Sequence, residues 1–392
     1  MTTPAPAMHL RTQVVIATLA RAVINTAQRL VYPFLPALSR GLGVPPETLA
    51  GLISLRGALG LVSPALGGLP DRIGRRFTAL LGLVIFVAGL LLLGVFPSLA
   101  TFAVYLFAVA GCKYMFDPAL QAHLSDRTPY ARRGLVIAFI ELGWSGASFV
   151  GLPLIGFLIA RATWRAPFLP LAAAGVAVAA ALWFVLPHDV PQRGAGHAPS
   201  LGYYALIRRH PVVLWGGGLG LLAGGANELF NVVYAGWLEQ AFGLTTAELG
   251  LTATVIGLAE LLGEVLVMVL ADKMGKRRAV AVGLLASAAA YGLIPLTGGQ
   301  LPLALAGLFF VYLAFEFTLV GSLPLMTQLV PSARFRVMSL NAALHSAGRM
   351  VGAFSGPRLF ALGFGWIGVA AALANLAGLA LIVFLVRERH HD

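Results

Sequence analysis

The chain has 392 residues, of which 59% are hydrophobic and only 11% charged, and its mean hydropathy is +0.87. A soluble domain carries about a quarter charged residues, so this composition excludes a soluble chain and points to a polytopic membrane protein. The net charge of +12 marks no nucleic-acid partner, because the basic residues are concentrated in alternate loops, as a topology signal requires.

A spanning helix needs about 20 apolar residues, so about twelve spans and their loops fill the chain. Spans 1 to 6 are expected at 12–38, 47–69, 77–96, 99–121, 134–160 and 166–187. Residues 188–210 are polar, with Pro191, Pro199 and Arg208-Arg209, and read as a cytoplasmic linker. Spans 7 to 12 follow at 211–237, 247–271, 279–297, 301–329, 337–362 and 366–386. The organisation expected is therefore 1–187, a linker at 188–210, and 211–392. One set of alternate loops holds 18 of the 27 Lys and Arg residues and the other set holds 3. The first set, with both termini, is expected in the cytoplasm. The N-terminal apolar run is too long and too polar in its middle for a cleaved signal peptide. The single cysteine, Cys112, excludes an intrachain disulfide and a cysteine metal cluster, and reads as a small packing residue.

Between spans 2 and 3 lies Gly67-Gly68-Leu69-Pro70-Asp71-Arg72-Ile73-Gly74-Arg75-Arg76. The pattern G-x-L-x-D-R-x-G-R-R resembles the loop between helices 2 and 3 of the major facilitator superfamily of transporters. A weaker copy runs from Val269 to Arg278, with Asp272, Lys273, Gly275 and Arg277, and Met268 in place of the leading Gly. Other stretches extend the resemblance over nearly the whole chain. Ser125-Asp126 to Arg132-Arg133-Gly134 is similar to the family's loop between helices 4 and 5. Trp164-Arg165-Ala166-Pro167-Phe168 resembles the W-R-x-x-F that opens helix 6 in drug antiporters. Gly151-Leu152-Pro153-Leu154-Ile155-Gly156 resembles a degenerate Gly-Pro motif of helix 5, and Gly348, Gly352, Gly356 and Pro357 are the corresponding, more regular run in span 11. Both runs read either as packing surfaces or as an antiport motif. The helix 4 motif of drug antiporters is not intact: Gly111 is present, but the basic residue is Lys113. The resemblance implies an all-α membrane protein, with twelve transmembrane helices in two pseudo-symmetric six-helix bundles, which works as a monomer by alternating access.

The halves repeat. Adding 202 takes Asn25 to Asn227, Tyr32 to Tyr234 and Gly146 to Gly348; adding 201 takes Asp71 to Asp272, Gly74 to Gly275 and Arg76 to Arg277. Parallel repeats with a midplane site imply alternating access.

An ionisable residue inside a span costs about 2.5–3.5 kcal/mol on insertion scales and is a functional hypothesis by default. Span 1 carries Arg21, Asn25, Gln28, Arg29 and Tyr32 on one helical face. Span 7 carries Asn227, Glu228, Asn231 and Tyr234 at pseudo-symmetric positions. In the family, helices 1, 4, 7 and 10 line the central cavity, so these stripes fit substrate contact. Span 4 adds Lys113 and Asp117, one turn apart, which read either as a self-neutralising pair or as substrate contacts. Span 10 adds Glu316, a central carboxylate with no obvious local partner, and span 5 adds Glu141 and Trp144. Span 11 carries Asn341, His345 and Arg349, and adding 204 takes Glu141 to His345. Histidine titrates nearest neutral pH. Glu141, Glu316 and His345 are therefore the proton-coupling candidates. Arg56, Glu260, Glu264 and Arg349 lie on spans 2, 8 and 11, which meet between the halves in the family, and read as latches between alternate states. Asp71, Arg72, Arg75 and Arg76 read as a cytoplasmic gate meeting the end of span 11, with Asp272, Lys273 and Arg277 as the second copy.

The function expected is secondary active transport of a small organic or amphipathic solute, as proton-coupled efflux. An importer or uniporter of a small metabolite, and a lipid flippase on the same fold, stay open. No G-x-x-x-x-G-K-[ST] stretch is present, so energy is expected from an ion or solute gradient. The cavity's mixed charge suits a zwitterion or an organic anion. An integral-membrane enzyme would need a metal constellation or an activated nucleophile, and the expected spans hold a single histidine, His345. No cofactor, no metal and no nucleic-acid partner are expected; membrane lipid and protons are. Arg outnumbers Lys by 24 to 3, a composition that suggests a GC-rich bacterial genome and a bacterial inner membrane.

Overall fold

The computed structural model describes residues 10–67, 69–187, 203–330 and 333–384, and these are helical apart from short turns. The elements are α1 (Leu10–Arg29), α2 (Leu35–Leu42), α3 (Pro46–Gly67), α4 (Leu69–Ile73), α5 (Arg75–Val95) and α6 (Leu99–Arg127). Next come α7 (Tyr130–Gly146), a π turn (Ala147–Gly151), α8 (Leu152–Arg161), α9 (Phe168–Val185) and α10 (Tyr203–Arg209). Then follow α11 (Val212–Asn231), α12 (Tyr234–Phe242), α13 (Thr246–Met274), α14 (Lys276–Leu293), a 3₁₀ turn (Ile294–Thr297), α15 (Leu301–Leu329), α16 (Arg334–Leu362) and α17 (Phe364–Phe384).

Spans 1, 5 and 7 break inside the continuous helices expected. Span 1 breaks after Arg29 and span 7 after Asn231, at matched points of the repeat. At each break one bond tightens from i−4 to i−3: Tyr32 N–H donates to Arg29 C=O at 3.1 Å, and Val233 N–H to Phe230 C=O at 3.0 Å. Pro33, which has no N–H, explains the first break; the second has no proline. The short helices that follow, α2 and α12, both end on a left-handed glycine, Gly43 and Gly243, each at φ 66°. In span 5 the π turn precedes Pro153, whose missing N–H leaves a ladder position open.

Two smaller corrections concern boundaries. Span 4 does not stop at Gln121; α6 runs on to Arg127. Part of the expected linker is the helix α10, because its Leu206 is fully buried in a cluster with Val213, Leu219 and Leu325; residues 188–202 of the linker lie outside the described residues.

Among the described residues, eight helices are long and apolar enough to cross a membrane by length and composition. α1, α3, α11 and α16 are not among them. α1, α11 and α16 carry the in-span polar stripes, which dilute their apolar signal.

The chain divides into two compact units, Met1–Gly43 with Ser63–Gly196 and Thr246–Gly250, and Val44–Val62 with His197–Thr245 and Leu251–Asp392. In the first unit α5 packs on α6 through small residues: a Cβ at Gly82 would lie 3.3 Å from the Cys112 carbonyl. Cys112 is a fully buried free thiol at this contact. The first five residues of α13, Thr246–Gly250, belong here: Gly250 meets Gly156 of α8 backbone to backbone. In the second unit the closest approach is α11 against α16. A Cβ on Gly348 would fall 1.9 Å from the Leu221 carbonyl, and one on Gly352 2.3 Å from the Gly225 carbonyl. The glycine run of span 11 is thus a packing face, where small residues let backbones meet. Most of α3 packs in this unit, where Ser54 Oγ donates to the Met350 carbonyl at 2.7 Å.

Candidate functional site

Each unit holds its own buried polar network. In the first, α1, α6 and α7 bring the expected residues together. Gly143 lets α7 lie against α1, since a Cβ there would sit 2.8 Å from the Thr18 carbonyl and from Arg21 Cβ. That contact sets Glu141 beside Arg21. Arg21 Nη1 donates to Glu141 Oε1 at 2.6 Å, and Arg21 Nε lies 3.4 Å from Asp117 Oδ1. Asp117 also pairs with Lys113 through Oδ2 at 2.9 Å. Lys113 Nζ then donates to Asn25 Oδ1 at 2.7 Å. The result is one chain, Glu141–Arg21–Asp117–Lys113–Asn25, across three helices. The Lys113–Asp117 pair is therefore not self-contained: it is wired to α1. Pairing of this kind is what a low-dielectric environment demands of charged side chains.

Above this chain on α1, the Arg29 guanidinium lies 4.4 Å from the centre of the Trp144 ring. Lys113 Nζ lies 5.4 Å from the same ring. Four buried polar atoms of this face have no hydrogen-bond partner among the described residues: Arg21 Nε, Asn25 Nδ2, Gln28 Oε1 and Asp117 Oδ1.

The second network joins α11, α14, α15 and α16. Arg349 grips Glu228 Oε2 from Nε at 2.8 Å and from Nη2 at 2.7 Å. Asn231 Nδ2 donates to Asn227 Oδ1 at 2.8 Å. Asn227 Nδ2 reaches the Tyr291 hydroxyl at 3.3 Å, and the Tyr312 hydroxyl donates to Asn231 Oδ1. Phe230 stacks on Tyr234 beside them, and Tyr312 meets both rings edge-on.

Several expected roles are relocated. Arg349, read with Arg56, Glu260 and Glu264 as a latch between alternate states, grips Glu228 inside the second unit, because the glycines of α16 bring it against α11. Glu316 was expected to be solitary. Its Cβ lies 2.9 Å from the Cβ position of Gly263 on α13, and Gly263 stands between Glu260 and Glu264, so Glu316 faces that helix. It has a further interaction of its own, as do Glu260, Glu264 and Arg56. His345 packs against Gly224, with Nδ1 3.2 Å from the Gly220 carbonyl.

The gate residues also make contacts within their own unit. Arg75 bonds Asp126 at 2.5 Å and the Ala122 carbonyl at 3.1 Å. Arg76 donates to the Trp183 carbonyl at 2.5 Å, near the end of α9. Its counterpart Arg277 donates to the Ile382 carbonyl at 3.0 Å, near the end of α17. Both arginines satisfy carbonyls left open at a helix C-terminus. Asp272 and Lys273 are exposed. The side chains of Asp71 and Arg72 lie outside the described residues.

Sequence reading missed His123. It is almost fully buried, with Nε2 2.8 Å from Arg127 Nη1 and 3.3 Å from Gln13 Oε1. The early end assigned to span 4 put it in a loop. Tyr291 was also missed, as a lone polar residue in an apolar span. Its fully buried hydroxyl has no stripe to announce it.

Two helical units with long apolar helices, each burying a network of paired charges, mark a multi-pass membrane protein. The sequence profile of the Major Facilitator Superfamily matches residues 17–226 and again 216–392. The chain belongs to that superfamily, and its fold is the twelve-span fold of two six-helix bundles, in which α1, α3, α11 and α16 stand beside the eight apolar spans. The chain is 27% identical over 338 residues to the uncharacterized MFS-type transporter YceJ of Bacillus subtilis, covering 84% of each chain. It is 23% identical over 373 residues to Multidrug resistance protein 2 of the same organism, covering 93% of this chain and 92% of the relative. The crystal structure of a D-xylose-proton symporter superposes with a TM-score of 0.78 at 16% identity, over 97% of this chain and 99% of that one.

Proposed function

We propose that the chain is a proton-coupled secondary transporter that exports small organic or amphipathic solutes by alternating access. The observation that carries this reading is the bond from Arg21 to Glu141 across α1 and α7. Glu141 is the most open member of the chain of charges, with 39% of its side chain exposed. A proton arriving on Glu141 removes the charge that Arg21 faces at 2.6 Å, and Arg21 must then lean on Asp117 alone. Asp117 already serves Lys113, so one proton alters the pairing of the whole network.

The similarity to Multidrug resistance protein 2 supports the efflux direction. The two bundles, 1–187 and 211–392, act as the rocking halves, with the termini in the cytoplasm of a bacterial inner membrane and the monomer as the working unit. Glu316 and His345 are the further proton candidates. Arg56, Glu260, Glu264, Asp272 and Lys273 act in gating together with Asp71 and Arg72.

The test is transport in proteoliposomes with an imposed pH gradient, a pH dye inside, and organic cations, anions and zwitterions outside. A solute that discharges the gradient supports the reading when Glu141→Gln abolishes the discharge and keeps solute binding. A solute that equilibrates without moving protons makes the protein a uniporter and overturns the coupling role of Glu141.

A further inference from the structure

We propose that the first unit holds an anionic phospholipid along the seam of α5 and α9, with its phosphate in a polar cavity at one end and an acyl chain in the apolar groove beside it. The proposal needs only the membrane fold and does not rest on the transport reading.

The stretch Trp164-Arg165-Ala166-Pro167-Phe168 leads to the head site. Its two aromatic residues pack. Trp164 fills the space over Gly41, where a Cβ would fall 2.2 Å from the indole. It meets Phe168 edge-on at 6.1 Å, and the fully buried Phe168 meets Tyr105 in the same way. Arg165 does not pack. It is exposed and lines a cavity of about 320 Å³ formed by the end of α2 and the turns that precede α6 and α9. Thr163, Trp164 and Ser98 also line it, and no carboxylate does. Ser98 is spent as the cap of α6, accepting from the Thr101 N–H at 3.1 Å. The side chains of Thr163, Trp164 and Arg165 make no hydrogen bond or ion pair among the described residues. A guanidinium, an indole N–H and a hydroxyl on one open cavity are donors suited to phosphate oxygens. Arg40, next to Gly41, has an interaction of its own and is not counted. An ammonium headgroup finds no carboxylate on this lining, so a lipid of net negative charge fits better than a zwitterionic one.

The groove makes the phosphate that of a lipid. It has a volume of about 600 Å³ and runs along the same two helices, from Leu91 to Phe77 on α5 and from Val176 to Trp183 on α9. From Phe77 to Leu91, at 1.5 Å per residue, it is about 21 Å long. Ala88, Ala179 and Ala180 leave the space. Gly175 sets the helices close, since a Cβ there would lie 2.8 Å from Val87. Phe77, Val84, Val176 and Trp183 are each more than half exposed, so the groove opens toward lipid. Val95 and Phe96, between the groove and the cavity, are exposed as well, which keeps the path from one to the other apolar. The two ends differ in charge. At the far end Arg76 is spent on the Trp183 carbonyl and Arg75 on Asp126. Of these three arginines, Arg165 is the one without a partner, so the headgroup sits at its end. A basic pocket at the end of a spanning seam is a recurrent setting for lipid headgroups.

The experiment is native mass spectrometry of the detergent-purified protein, titrated with phosphatidylglycerol and with phosphatidylcholine of the same acyl chains. Glycerol 3-phosphate serves as the probe without chains. Phosphatidylglycerol is expected to bind about fivefold more tightly than phosphatidylcholine, the effect of one arginine on an anionic lipid. Arg165→Gln is expected to remove that preference, and Arg165→Lys to keep part of it. Arg161→Gln changes an exposed arginine that stacks on Phe157 outside the cavity, and is expected to leave the preference intact. Ala180→Phe fills the groove and is expected to weaken both lipids several-fold; Ala179→Leu takes its place if that variant does not fold. Equal binding of the two lipids, or equal losses from Arg165→Gln and Arg161→Gln, overturn the head site. Lipid binding untouched by filling the groove overturns the acyl-chain seat. Glycerol 3-phosphate that binds as tightly as phosphatidylglycerol overturns the lipid assignment in favour of a soluble phosphate.

Discussion

Arg349 of α16 reaches Glu228 of α11 with two nitrogens, Nε at 2.8 Å and Nη2 at 2.7 Å, and both bonds land on the same oxygen, Oε2. Glu228 is almost completely buried, while Arg349 keeps 32% of its side chain exposed. Removing the arginine strands a sealed carboxylate; removing the carboxylate leaves a cation that can still turn toward solvent. Arg349→Gln is therefore expected to cost about 3 kcal/mol, the lower end for breaking a buried pair, and Glu228→Gln less. The double variant should melt above Arg349→Gln alone. Thermal unfolding in detergent orders the three.

The first unit has a different ranking. Asp117 serves two cations, Arg21 at 3.4 Å and Lys113 at 2.9 Å, whereas Glu141 serves Arg21 and is more exposed. Asp117→Asn is expected to lower the melting temperature more than Glu141→Gln. Equal losses would mean that Arg21 depends on Glu141 alone.

Backbone contact between α11 and α16 makes a second stability test. Gly348→Ala puts a methyl group where the Leu221 carbonyl stands, at 1.9 Å, and the helices must part. Overpacking of this sort costs about 1–3 kcal/mol. Gly365→Ala, with nothing within 4 Å of the new Cβ, is the control and should be neutral by the same melting measurement.

Gly74 and Gly275 hold φ of 94° and 83° with ψ of 144° and 135° at the start of α5 and α14, a conformation that costs an L residue about 1–3 kcal/mol. Gly275 has no neighbour within 4 Å to complicate Gly275→Ala. Gly74→Ala and Gly275→Ala should each lower stability by that amount, and by similar amounts, since Arg76 and Arg277 tie the two turns to their helix ends in the same way. A large cost at one turn alone would break the equivalence of the two motif copies.

Much of the candidate site was legible in the order of residues. The stripe Arg21, Asn25, Gln28 and Arg29 follows from helical spacing, and its match to Asn227 and Tyr234 follows from one offset. Composition and the alternation of basic loops set the membrane class, and the D-R-x-G-R-R turn, with its weaker copy D-K-x-G-K-R, pointed to the superfamily. These readings depend on neighbours along the chain, and local spacing fixes them.

Partners are a different matter. Arg21 and Glu141 stand 120 positions apart, and so do Glu228 and Arg349, within one residue. Which cation meets which carboxylate depends on where glycines allow two helices to touch, at Gly143 in one unit and along Gly348 and Gly352 in the other. Only tertiary packing decided that Arg349 holds Glu228 and that Glu316 turns toward Gly263. It also buried His123 in an extended α6. A polar side chain in a span must find a partner because the surroundings supply no water, but the sequence states only the need. The packed backbone supplies the answer.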